Sequence, residues 1–249
     1  MKIFLGLLFV LASSGQAQYR GGIVTPALPK PNFVLTDTSG SAFDFRKQTE
    51  GMVTLLFFGY TYCPDQCPMH MATLAAALKK LPPEITGQVK LVFVTTDPAR
   101  DTPHVLRKWL DQFDQRSVGL TGNEAAIEAV QKSAGVPPAY RTDIRNGGYG
   151  VAHANFVIAY TKDNQAHVIY PGGIGKDDWV HDLPLLVQET WVERELALEG
   201  LASPAPAVPP GSDGVPPPSA IGRRGTDTPP TASRTAKRKS AGSILLRRR

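Results

Sequence analysis

A nine-residue apolar run at 52–60, MVTLLFFGY, leads directly into Thr61-Tyr62-Cys63-Pro64-Asp65-Gln66-Cys67-Pro68, and this junction constrains the chain more than any other stretch. An unbroken run rich in Val, Leu and Phe suits a strand buried on both faces. Residues 68–81 (PMHMATLAAALKKL) are rich in Ala and Leu, begin with Pro and stop at Pro82-Pro83, which predicts a helix. The chain's two cysteines therefore lie in a strand-to-helix loop. There the free N–H groups and the helix dipole favour thiolate over thiol. At i and i+4 the two face one side, with Cβ atoms about 5–6 Å apart if both are helical. Clustered thiolates either form a disulfide or hold a soft metal ion. A thioredoxin-like redox pair is normally C-x-x-C, whereas three residues intervene here. Both uses stay open, and two sulfurs alone make an incomplete site for most metals. A pair of inert structural cysteines is disfavoured by the loop location.

The remaining pattern supplies the frame. Segments 33–36 and 42–45 flank the turn Asp37-Thr38-Ser39-Gly40 as a hairpin, and 89–95 and 117–120 read as further strands. Helices are predicted at 103–113, with Asp101 or Thr102 as cap, and at 123–134, with Asn123 as cap and Gly135 past the end. The polar stretch 136–150 reads as a loop. A second hairpin follows at 155–160 and 166–170, then a helix over 176–198 that should break near Pro184. Helix-separated buried strands followed by a hairpin and a helix give an α/β fold, a three-layer sandwich with a mixed central sheet. That order fits a thioredoxin-like domain spanning 33–200.

The two ends differ from this domain. Met1-Lys2, ten apolar residues at 3–12, and small residues at Gly15 and Ala17 make a secretory signal peptide over 1–17, cut after Ala17. An uncleaved anchor is the lesser alternative, because ten apolar residues are too few to span a bilayer. The expected location is periplasmic or otherwise extracytoplasmic. Residues 18–32 are an extended lead-in. The 201–249 segment holds nine of the chain's 22 Pro, no aromatic residue, and nine basic against two acidic groups, a balance of +7. It is predicted to be a disordered basic tail. Residues 1–200 carry 18 basic and 20 acidic groups, a balance of −2. A nucleic-acid partner thus loses its support, and weak contact of the tail with an anionic membrane surface is the remaining electrostatic option. Two cysteines also exclude a disulfide-stapled scaffold and a four-cysteine zinc ribbon.

Among five histidines, His153 stands in Val151-Ala152-His153-Ala154-Asn155, at the start of the penultimate strand. In a thioredoxin-like fold that strand lies beside the one bearing the cysteine loop. Redox thioredoxins usually carry a cis-Pro there, but no Pro occurs between Pro138 and Pro171. His153 is therefore the candidate third ligand, completing a set of two thiolates and one imidazole suited to copper. Met69, His70 and Met71 follow Cys67 but cannot all face one ion from adjacent helical positions, and read as core or surface. His104, His167 and His181 read as surface residues.

Three blocks in order resemble the Sco/SenC family of copper-binding proteins needed for cytochrome c oxidase assembly. They are Gly59-Tyr60-Thr61-x-Cys63-Pro64-Asp65-x-Cys67-Pro68, Thr96-Asp97-Pro98-Ala99-Arg100-Asp101-Thr102-Pro103, and His153 before an apolar strand. The resemblance covers roughly 28–195. It implies one copper ion, Cu(I) or Cu(II), on Cys63, Cys67 and His153. It also implies delivery of that copper to the CuA centre in cytochrome c oxidase subunit II, or reduction of that centre's cysteines. Other copper carriers or thiol reductants would then be further partners. Tyr62 stands where the family usually has His, and Ala152 where it often has Asp. Asp97 is either a carboxylate supporting the metal site or, the favoured reading, a builder of the turn before the next helix. The expectation is a metallochaperone rather than an enzyme, with no catalytic residue. A periplasmic thiol–disulfide oxidoreductase using Cys63 and Cys67 is the alternative.

Overall fold

The computed structural model describes residues 19–144 and 147–191. The signal segment 1–17 and the tail 201–249 lie outside the described residues, as do 192–198 of the helix expected over 176–198. That helix is shorter than expected, ending at Gln188 where Glu189 is extended. Ten strands are described: β1 (Gly22–Pro29), β2 (Val34–Asp37), β3 (Ala42–Asp44), β4 (Val53–Gly59), β5 (Val89–Thr95), β6 (Val118–Thr121), β7 (Tyr140–Asp143), β8 (Tyr149–Ala152), β9 (Phe156–Tyr160) and β10 (Gln165–Pro171). The helices are α1 (Phe45–Gln48), α2 (Gln66–Leu78), α3 (Pro83–Thr86), α4 (Pro103–Leu110), α5 (Glu124–Ser133) and α6 (Lys176–Gln188). Eight strands form one sheet in the order β1-β10-β9-β4-β5-β6-β2-β3, and β7-β8 make a separate ribbon. The pairs β4–β5 and β5–β6 are parallel and the others antiparallel, so the sheet is mixed.

Strand β4 is central and every residue of it is buried. Its alternation divides the core. Val53, Leu55 and Phe57 face a cluster with Cys67, Met71 and Leu74 of α2, Leu106 and Leu110 of α4, and Trp179 and Leu183 of α6. Leu56 and Phe58 face the opposite cluster, with Phe33, Phe43, Phe45, and Ile127 and Val130 of α5. Helices thus cover both faces of the sheet, the three-layer α/β arrangement of a thioredoxin-like domain. A strand sandwiched between helical layers buries its side chains on both faces, which is why the 52–60 run is nearly all apolar. Thr54, buried within it, accepts a hydrogen bond from Lys30 Nζ at 3.1 Å.

Several local readings need correction. The stretch 136–150 is not simply a loop, since β7 and β8 pair from Tyr140↔Ala152 to Asp143↔Tyr149. Every residue of β7 is exposed, so no apolar alternation marks it. The lead-in 18–32 contains β1, an edge strand paired with β10 despite Pro26. Edge strands tolerate Pro because one side of their backbone needs no partner. Helix α6 continues through Pro184 instead of breaking there. Trp179, Leu183, Leu186 and Val187 hold it to the core. Thr102 caps α4, accepting a hydrogen bond from the Val105 amide at 3.3 Å, and Asp101 turns inward instead. His167 is buried, not on the surface: it stacks on Trp191 with ring centroids 4.0 Å apart and bonds Asp163 at 2.7 Å.

Candidate metal centre

The end of β4 delivers the chain into the cysteine loop, and α2 begins one residue before Cys67. Cys63 is half-buried and Cys67 fully buried, and both are free thiols. The Cys67 amide donates to Cys63 Sγ at 3.5 Å, so the first turn of α2 places a backbone N–H against that sulfur. Beside β4 runs β9, and the 153–155 segment just ahead of β9 brings His153 to the same place. Cys67 Sγ lies 3.4 Å from His153 Nε2. The three donor atoms of Cys63, Cys67 and His153 all fall within 4.8 Å of one another, the one such group among the described residues. His153 Nδ1 sits 2.9 Å from the Ala154 carbonyl. A ring that donates from Nδ1 presents an unprotonated Nε2 to the sulfurs, the form needed by a metal ligand.

The two sulfurs have opposite acidities. Hydrogen bonding from Cys67, aided by backbone amides, lowers the Cys63 thiol to about 3. Cys67 is pushed strongly up, because it donates to the Cys63 thiolate and is desolvated. The pair therefore titrates as a unit and holds one proton at neutral pH. Two thiolates and an imidazole match the donor preference of copper once that proton leaves.

The Thr96–Pro103 block braces the loop, in a manner the sequence did not reveal. Asp101 is fully buried; it accepts from the Thr61 amide at 2.9 Å and from the hydroxyls of Thr61 and Thr95 at 2.5 and 2.6 Å. Burial raises its carboxyl, and these three bonds oppose the shift. Asp97 is also buried, but its carboxylate takes Arg100 and, at 2.9 Å, the Tyr149 hydroxyl. Both its side-chain partners lie outside the Cys63–Cys67–His153 group, and its carbonyl accepts the amides of Arg100 and Asp101 as a turn residue would. The guanidinium of Arg100 stacks on Tyr149 at 3.8 Å and on Tyr62 at 4.9 Å, and Arg141 covers Tyr149 at 4.8 Å. This stack fastens β8, and so the approach to His153, beside the cysteine loop. Tyr60 adds to it: the Val151 amide donates to its hydroxyl at 3.4 Å, and its ring meets His153 edge-on at 5.6 Å. Of the residues after Cys67, Met71 is buried in the core and Met69 is exposed. His70 is buried as well, and burial lowers its imidazole below the usual value.

Fold and site together define a thioredoxin-like domain that carries a two-thiolate, one-imidazole centre at the junction of a central strand and a helix. The SCO1/SenC family model matches residues 25–188, and the chain belongs to that family. The apo Sco1 protein from Thermus thermophilus is 30% identical, with a TM-score of 0.62 over 69% of this chain and 99% of that one. Copper-bound ScoI of Bradyrhizobium japonicum is also 30% identical, with a TM-score of 0.57 over 64% of this chain and 99% of its own. The mitochondrial SCO2 protein of Saccharomyces cerevisiae is 32% identical over 134 residues, 53% of this chain and 44% of that protein. The chain spans about half the length of the curated relatives it matches.

Proposed function

We propose that this chain is an extracytoplasmic copper metallochaperone that carries one copper ion on Cys63, Cys67 and His153. Its acceptor is the CuA centre in cytochrome c oxidase subunit II. The observation that carries the reading is the convergence of exactly the donor types copper prefers, with all three donor atoms within 4.8 Å. Copper is cargo here. Cys63 is partly exposed, so an acceptor thiolate can approach from its side, and ligands can exchange one at a time without free copper being released. The test mixes the copper-loaded reduced chain with the metal-free soluble domain of subunit II. Copper recovered on the separated acceptor domain, with matching loss from the donor, is expected. Retention of copper by the donor would contradict the reading.

A second reading rests on the acidity split. A partly exposed Cys63 thiolate beside a buried Cys67 thiol is also a nucleophile with its resolving partner. Cys63 would attack an acceptor disulfide, and Cys67 would resolve the mixed disulfide, so that two electrons pass to the acceptor and a Cys63–Cys67 disulfide remains. The copper-free reduced chain added to the oxidised subunit II domain distinguishes the readings, since only the reductase generates acceptor thiols without copper.

The same split predicts a proton count. Copper must expel the one proton shared by the pair, so uptake at pH 7.5–9 should release about one proton per ion. Apparent affinity should then rise about tenfold per pH unit, because higher pH favours loss of that proton. A pH-stat titration reads this directly; uptake without proton release would show that both sulfurs were already thiolates.

A further inference from the structure

Behind the metal centre, three side chains that are not ligands join its two halves. His70 Nε2 lies 3.0 Å from Asn155 Oδ1, and Asn155 Nδ2 donates to Gln66 Oε1 at 3.0 Å. Gln66 immediately precedes Cys67 and His70 follows it by one helical turn, while Asn155 stands two residues after His153. The bridge therefore ties the cysteine-bearing start of α2 to the histidine-bearing segment. We infer that His70, Asn155 and Gln66 form a strut that positions His153 against the two sulfurs.

The 153–155 segment lies between β8 and β9 and belongs to neither strand. Sheet pairing therefore does not fix His153 or Ala154. The segment's orientation matters because the His153 ring takes its direction from the Ala154 carbonyl, at 2.9 Å. That carbonyl belongs to the peptide joining Ala154 to Asn155. Pulling Asn155 toward α2 thus sets the plane of the peptide that aims the imidazole. Space for the strut is reserved: a Cβ at Gly172 would stand 2.3 Å from Asn155 Nδ2 and 3.2 Å from Gln66 Oε1. The Gly172 amide also donates to the Asn155 carbonyl at 3.0 Å. His70 is only 3% exposed and lies against Phe57, ring centroids 4.9 Å apart. An apolar residue would fill that environment without needing a polar partner, so the polar bridge points to a role beyond packing.

This inference rests on the proposed copper site, and the experiment separates the two. Copper(I) affinity is measured on the reduced full chain by competition with a chromophoric chelator, and nitrogen coupling to Cu(II) is read by electron paramagnetic resonance. His70→Leu, which keeps bulk but removes the donor, should weaken affinity about tenfold, the lower range for losing an outer partner of a ligand. It should also reduce the imidazole coupling. Asn155→Ala should do the same from the other end of the bridge. His70→Gln, whose amide can still donate to Asn155 Oδ1, should restore both readings. In a His153→Ala background, His70→Leu should change affinity no further, because the strut acts through His153. Parent-like affinity and coupling in His70→Leu, or an equal loss in the His153→Ala background, would overturn the strut while leaving the copper reading intact. A parent chain that takes up no copper would overturn both.

Discussion

Cys67→Ala should abolish tight copper binding, and Cys63→Ala and His153→Ala should each weaken it severely. Each change removes one of the three donor atoms that share the site among the described residues. Losing an outer partner of a metal ligand typically costs roughly 10- to 100-fold in affinity, and losing the ligand itself should exceed that range. The three losses differ in kind. Removing Cys67 also deprives the Cys63 thiolate of its main hydrogen-bond donor, so the remaining thiol should rise back toward an ordinary cysteine value. Removing His153 leaves two sulfurs, which still hold Cu(I) weakly but lose the nitrogen that favours Cu(II). His104→Ala, on the exposed flank of α4, should change nothing. Chelator competition across these variants measures the order, and a His153→Ala chain with parental affinity would remove the imidazole from the site.

Gly59→Ala should disturb the centre without touching a donor atom. Alternation along β4 puts position 59 on the same face as Phe57, toward α2. A Cβ there would stand 2.7 Å from Cys67 Sγ and 3.1 Å from two ring atoms of Phe93. Neither neighbour can retreat easily. Cys67 and Phe93 are both fully buried, and Gly59 itself is held by the Thr96 amide, which donates to its carbonyl at 2.7 Å. Overpacking of this kind costs about 1–3 kcal/mol of stability. It should also displace the Cys67 sulfur and so weaken copper binding, with both effects in one variant. Denaturant unfolding together with copper titration checks this; unchanged stability and affinity would mean that the close approach of β4 to Cys67 is relaxed in solution.

What could be read in the sequence follows from where the physical signal lies. The continuous run at 52–60, the Ala/Leu helix after it and the paired hairpin strands carry their periodicity in adjacent residues, and these elements appeared where expected. The three candidate ligands could be named because two stand at a strand-to-helix junction and the third replaces the residue expected before β9. Exposed β7 and edge strand β1 were not legible, since neither buries an alternating face. Pro184 misled because a helix anchored by Trp179 and Leu183 can forgo one backbone hydrogen bond. The supports of the site were the least visible. Asp101 looked like a cap, yet its partners Thr61 and Thr95 lie 40 and 6 residues away. His70 and Asn155 meet across 85 residues, and no spacing rule connects them.

The account stands or falls on the coordination of the bound ion. X-ray absorption at the copper edge, on the reduced full chain loaded with one equivalent of copper, should give two sulfur neighbours and one imidazole nitrogen. Sulfur scattering should fall in Cys63→Ala and in Cys67→Ala, and imidazole scattering should vanish in His153→Ala. A first coordination sphere of nitrogen and oxygen alone, or one unchanged by these three substitutions, would contradict it.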